Sequence, residues 1–111
     1  METLLQLHPE VTAVYAHGDD MAIGAIAALE SAGRRSGKDV LVVGVDGSRV
    51  ALNAVIAGKL GATIECNPRF GSPAFDVLEA YANGESIPPV IINPDRIFDA
   101  FNAKEGLKTA F

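Results

Sequence analysis

The chain has no tryptophan, one cysteine and 6% aromatic residues over its 111 positions. A single thiol excludes an intramolecular disulfide and a Cys-rich zinc site. Scarce rings rule out a base-stacking platform and leave carbohydrate few faces to stack on. Cations are also few, with 9 Lys and Arg against 14 Asp and Glu, a net charge of −5, and Arg34-Arg35 as the one adjacent pair. Nucleic-acid surfaces neutralise phosphate with clustered Lys and Arg, so that class of partner is excluded. No apolar run approaches the roughly 20 residues that cross a bilayer, which excludes membrane insertion by a helix. Met1-Glu2 lacks the basic start and long apolar core of a secretory leader, so the chain as written is expected to stay in the cytoplasm. No repeat or low-complexity tract is evident.

What is present is ordinary globular composition, 49% hydrophobic and 21% charged, at a length that supports one small domain and not two. Short β-rich runs alternate with helical stretches, the pattern of an α/β fold with a parallel sheet. A helix end at Thr3–Leu7 is stopped by His8-Pro9. Strands are expected at Val11–Ala16, Val40–Val45 and Ala62–Cys66, with the second apolar on both faces, as a central parallel strand must be. Helices are expected at Met21–Ser31, Ser48–Ala57 and Ser72–Ala82. Asp19 or Asp20 is placed to cap the first of these and Gly33 to close it. Pro88-Pro89 introduces a last extended run, Val90–Ile92, and everything beyond Asp95 reads as tail. Half a helix before the first strand implies that a βα unit is missing ahead of it. Three or four parallel strands also leave two open edges, so the chain is expected to pair with another copy or to be part of something larger.

Ligands of open parallel sheets sit beyond the carboxyl ends of the strands. Three polar clusters fall there: His17-Gly18-Asp19-Asp20, Asp46-Gly47-Ser48 and Glu65-Cys66-Asn67. Carboxylates aimed at one mouth suit a polyhydroxylated ligand, because ionised oxygens accept from hydroxyls. Each also has a structural reading. Asp19 and Asp20 serve as helix caps, Asp46 as a strand-to-helix turn residue, and Cys66 as a small buried thiol. His17 near two aspartates has no second histidine at ligand spacing, so no metal is expected. Ser36-Gly37-Lys38 lacks the earlier glycine of a phosphate loop and follows no strand. No nucleophile elbow is present, which leaves little sign of an enzyme.

The run Tyr15-Ala-His-Gly-Asp-Asp-Met-Ala-Ile-Gly-Ala25 resembles a signature of the periplasmic sugar-binding proteins of ABC transporters. Val42-Val-Gly-Val-Asp-Gly47 and Ala57-Gly-Lys-Leu-Gly-Ala-Thr-Ile64 follow in the same order, and Glu65–Pro68 with Ala74–Glu79 looks like the galactofuranose-binding branch. The resemblance runs from about Leu4 to Asn102. It implies a partial doubly wound parallel sheet, the incomplete carboxy-terminal lobe of a two-lobed type I periplasmic binding protein. Residues 1–111 then form one domain, of which 69–111 would cross the hinge of the longer family members. It further implies a monosaccharide ligand, an ABC permease as partner, a periplasmic location for the longer protein and no cofactor. Asp46 matches the aspartate that hydrogen-bonds sugar in the family. The asparagine that also binds sugar is replaced here by Gly18, and Cys66 stands where ribose-binding relatives carry a glutamine. With one lobe absent, sugar affinity is expected to be weak or lost, and the open edge and unpartnered helix are expected to drive dimerisation. Two other readings share parts of this pattern. One is the effector domain of a LacI-type regulator, the other a small metal-dependent α/β enzyme or receiver-like domain using Asp19, Asp20 and Asp46.

Overall fold

The computed structural model describes all 111 residues. Nine elements follow in the order α1 (Glu2–Leu7), β1 (Ala13–Tyr15), α2 (Asp19–Ser31), β2 (Leu41–Asp46), α3 (Arg49–Ile56), β3 (Ala62–Glu65), α4 (Gly71–Ala82), β4 (Ile97–Asp99) and α5 (Ala103–Gly106). The sheet runs β1-β2-β3-β4 in chain order, with the first three strands parallel and β4 antiparallel to β3. The strand–helix alternation predicts an α/β fold with a parallel sheet, and the sheet is mostly parallel, with β4 the antiparallel exception.

Alternation along the strands decides which face carries the core. Val42, Gly44, Thr63, Glu65 and Phe98 point to one side and are buried. There they meet Ala22, Ile26 and Leu29 of α2, Leu52 and Val55 of α3 and Ala103 of α5. Helices α2 and α3 start at Gly18 and Ser48 caps, and only Ser48 uses its side chain, accepting from Ala51 N at 3.3 Å. Gly33, at φ 74°, closes α2 as its position predicts.

The opposite face has no layer on it. Tyr15, Leu41, Ile64 and Ile97 stay 45–62% exposed, and Val43 and Val45 are half-buried. A central parallel strand carries apolar residues on both faces because both are normally covered. The sheet here is wound on one side only, which is what makes the doubly wound fold partial.

The end of the chain differs from its sequence reading. Val90–Ile92 forms no strand, and its three side chains are 51–84% exposed. The last strand is instead Ile97–Asp99, inside the stretch read as tail, with Thr63 opposite Phe98. Beyond it Ala103 and Ala110 are buried, so this segment completes the core. Helix α4 is the converse case. It forms where expected, yet none of its residues is buried. The helix and residues 91–94 share a shallow apolar groove of about 380 Å³ between Phe70, Pro73, Val77 and Ile92. The Cα radius of gyration is 18.0 Å, against about 13 Å for a compact domain of this size. The excess reflects an extended arm.

Candidate functional site at the carboxyl ends of the strands

Asp46 ends β2 with φ 127°, the one non-glycine residue of the chain at positive φ. Such a conformation costs on the order of 1–3 kcal/mol and persists only where surrounding contacts fix it. The contacts are on both sides. Asp46 Oδ2 accepts from Asp19 N at 3.1 Å, while its carbonyl accepts from Cys66 N at 3.0 Å. Gly47 follows at φ 75°, and a Cβ there would stand 3.1 Å from both Glu65 Cα and the Phe98 ring, so only glycine fits the turn.

Asp19 is 2% exposed, and its carboxylate is fully used within the fold. Oδ2 accepts from Ser48 N at 2.7 Å, and Oδ1 accepts from Thr63 Oγ1 at 2.6 Å. Thr63 Oγ1 in turn accepts from Gly47 N at 3.1 Å. Room for this carboxylate comes from Gly44, where a Cβ would lie 2.7 Å from Asp19 Oδ1. The two aspartates therefore cap crosswise. Asp46, just before α3, sits at the amino end of α2, and Asp19, first in α2, sits at the amino end of α3. Each negative charge meets the positive end of a helix dipole. The sequence places Asp19 as a cap of its own helix, yet α2 has no side-chain cap and the Asp19 carboxylate bonds elsewhere. It caps the neighbouring helix.

The remaining candidates divide. Gly18 lies beside Asp46, and a Cβ there would be 3.4 Å from Asp46 Oδ2, an ordinary contact that leaves space for a side chain. His17 is exposed, its ring 5.1 Å from that of Tyr15. Asn67 Oδ1 accepts from Arg69 N at 2.9 Å, and its backbone ties to Asp95 and Asn93, so it joins the two passages of chain that lead to and from α4. Cys66 is exposed, not the buried thiol that its small size suggests. With Glu65 facing inward, the next side chain along β3 points to the face that has no covering layer. No group of three His, Cys, Asp or Glu residues is arranged to hold a metal ion.

Glu65 is 3% exposed, and both its oxygens are taken by Arg96, at 2.8 Å to Nε and 2.7 Å to Nη2. The Arg96 hydrogen bonds hold the Glu65 carboxyl below its usual range, outweighing the burial that works the other way. Arg96 also donates to Thr109 Oγ1 at 3.0 Å and lies 4.8 Å over the Phe98 ring. This pair fastens β4 and the chain end to the sheet beside the Asp46 turn. Neither Arg96 nor Thr63 stands out in the sequence. The usable signal for Thr63 is a polar residue at an inward position of a strand.

Carboxylates thus gather at the carboxyl ends of the parallel strands, with helix amino ends behind them, in an α/β layer of which one side is open. Residues 1–86 match the model of the periplasmic binding protein domain, and the chain belongs to that family. It is 41% identical over 95 residues to the ribose import binding protein of Bacillus subtilis and 38% identical over 96 residues to the galactofuranose-binding protein of Escherichia coli. These matches take in 85% and 86% of this chain and 30% of each relative. A crystal structure from Mycobacterium smegmatis in complex with β-D-fucofuranose superposes with a TM-score of 0.89 at 36% identity, over 97% of this chain and 36% of that one. A galactofuranose-binding protein superposes at 0.88 with 34% identity, over 96% of this chain and 38% of that one. The chain thus spans about a third of the length of its relatives.

Proposed function

We propose that this chain is the greater part of the carboxy-terminal lobe of a monosaccharide receptor serving an ABC importer, a binding module in which Asp46 is the ligand-contacting carboxylate. The observation that carries the reading is Asp46 itself: a half-buried carboxylate at a strand end, strained, with one oxygen held by α2 and the other taken by no protein donor. Ionised oxygens in this state accept from sugar hydroxyls at little desolvation cost. Gly18 and Asn67 flank it, and Cys66 lines the outer rim. Residues 69–111 then cross the hinge, with α4 belonging to the opposite lobe and β4 returning. An α4 with no buried residue and the uncovered sheet face support that division.

A single lobe buries too little of a sugar to hold it firmly. The expected outcome in nuclear magnetic resonance titrations with D-ribose, and separately with methyl β-D-galactofuranoside, is a set of small shifts confined to Gly18, Asp46–Ser48 and Asn67, saturating only well above millimolar sugar. Absence of shifts there at any concentration overturns the assignment of Asp46. Micromolar affinity by calorimetry overturns the view that the second lobe is needed.

The open face and the α4 arm also predict self-association. Size-exclusion chromatography with light scattering is expected to return a mass above that of one chain at micromolar concentration, rising as concentration rises. A concentration-independent monomer counts against it.

A further inference from the structure

The geometry points to Asp19 and Thr63 as positioning residues that hold the strained Asp46 turn in a preset orientation toward ligand, an inference that rests on Asp46 being the ligand contact. Three observations combine. Asp46 adopts φ 127°, which an L-residue avoids when left to itself. Every backbone amide from Gly47 to Ser48 is then anchored on a buried side chain: Gly47 N on Thr63 Oγ1 and Ser48 N on Asp19 Oδ2. The two anchors are themselves bonded, Thr63 Oγ1 to Asp19 Oδ1 at 2.6 Å, and both are at most 2% exposed.

A simpler strand-to-helix turn would not need this. Ser48 already caps α3 through its own hydroxyl, so α3 can begin without Asp19. What the Asp19–Thr63 pair adds is a fixed path for the two residues that follow Asp46, and through them the direction of the Asp46 carboxylate. Pre-set polar groups lose less entropy when a ligand arrives than groups that must be ordered by it. The fold accepts strain at one residue and surrounds it with bonds beyond those that α3 needs in order to start.

Four variants test this: Thr63→Val, Thr63→Ser, Asp46→Ala and Asp46→Gly. Thr63→Val keeps the shape and removes the hydroxyl, so faster hydrogen exchange at the Gly47 amide and displaced Asp46 resonances are expected. Thr63→Ser keeps the hydroxyl and is expected to restore both. Asp46→Gly relieves the backbone and Asp46→Ala does not, so the glycine variant is expected to melt several degrees higher, although glycine ordinarily costs stability relative to alanine. A Gly47 amide unchanged in Thr63→Val, or an Asp46→Gly variant melting no higher than Asp46→Ala, overturns the inference. Sugar-induced shifts at Asp46 in the wild type should disappear in Thr63→Val and return in Thr63→Ser. If the wild type shows none, the sugar assignment fails, while exchange and melting still decide whether the clamp exists.

Discussion

Phe98→Ala is expected to cost about 3–5 kcal/mol, the range for removing a buried aromatic ring from a core, and Ile92→Ala within about 0.5 kcal/mol of nothing. Phe98 is 3% exposed. Its ring fills the corner between sheet, α3 and α5 so closely that a Cβ on Gly106 would lie 2.6 Å from Phe98 Cε1 and 2.8 Å from Leu52 Cδ2. Its removal opens a cavity bounded by backbone at Gly106 and Gly47, which the short α5 can fill only by moving. Ile92 is 84% exposed and lines the shallow groove beside α4. Small domains have stabilities of about 5–15 kcal/mol, so the Phe98 variant should lose most of its folded population in modest urea while the Ile92 variant unfolds with the wild type. A Phe98→Ala cost below that of Ile92→Ala would mean that the chain end does not complete the core.

The same pair of residues shows why the last strand is hard to read. Val90-Ile91-Ile92 has the composition of a buried strand, and Ile97-Phe98-Asp99 offers one inward apolar residue in three. Composition measures what a segment could bury. Whether it does so depends on a partner surface, and here the surface offered by β3 goes to the weaker segment. The three strand–turn–helix units before it were legible because their signals are local: Val40–Val45 between turns, Gly33 after α2, Asp46-Gly47-Ser48 between β2 and α3. Boundaries moved by a residue or two, since α2 begins at Asp19 and not at Met21.

The site was legible in part for the same reason. Turn residues and strand ends mark Gly18, Asp19 and Asp46 as neighbours at one mouth. Their division of labour is set by bonds that cross 29 positions from Asp19 to Ser48 and 44 from Asp19 to Thr63. No local pattern separates the aspartate that is spent inside from the one that keeps an oxygen free. Cys66 is exposed for a related cause: residue size favours burial of a thiol, but one face of this sheet has no covering layer.

Arg96→Ala should reverse the pH dependence that Glu65 gives the fold. In the wild type the Glu65 carboxyl titrates below its ordinary 4.5, chiefly because of its hydrogen bonds to Arg96. A depressed folded-state value contributes stability that is present above the unfolded value and lost as pH falls through the folded one. Without Arg96 the largest influence left is burial, which raises the carboxyl and outranks the more distant attraction of Arg69. A raised folded-state value makes stability fall as pH rises from the unfolded value through the folded one. Near neutral pH the variant therefore holds an unpaired buried carboxylate. Breaking a buried pair costs about 3–5 kcal/mol, and with the Arg96 side chain 47% exposed the expected loss is smaller, about 2–3 kcal/mol. Urea unfolding of both proteins between pH 3 and pH 7 (about the span over which a carboxylate titrates) isolates Glu65, because Asp39, held low by Arg35, behaves alike in each. The gap between the two curves should widen steadily with pH. A constant gap would mean that Arg96 acts only by packing over Phe98, and that the charge pair does not fasten the chain end beside the Asp46 turn.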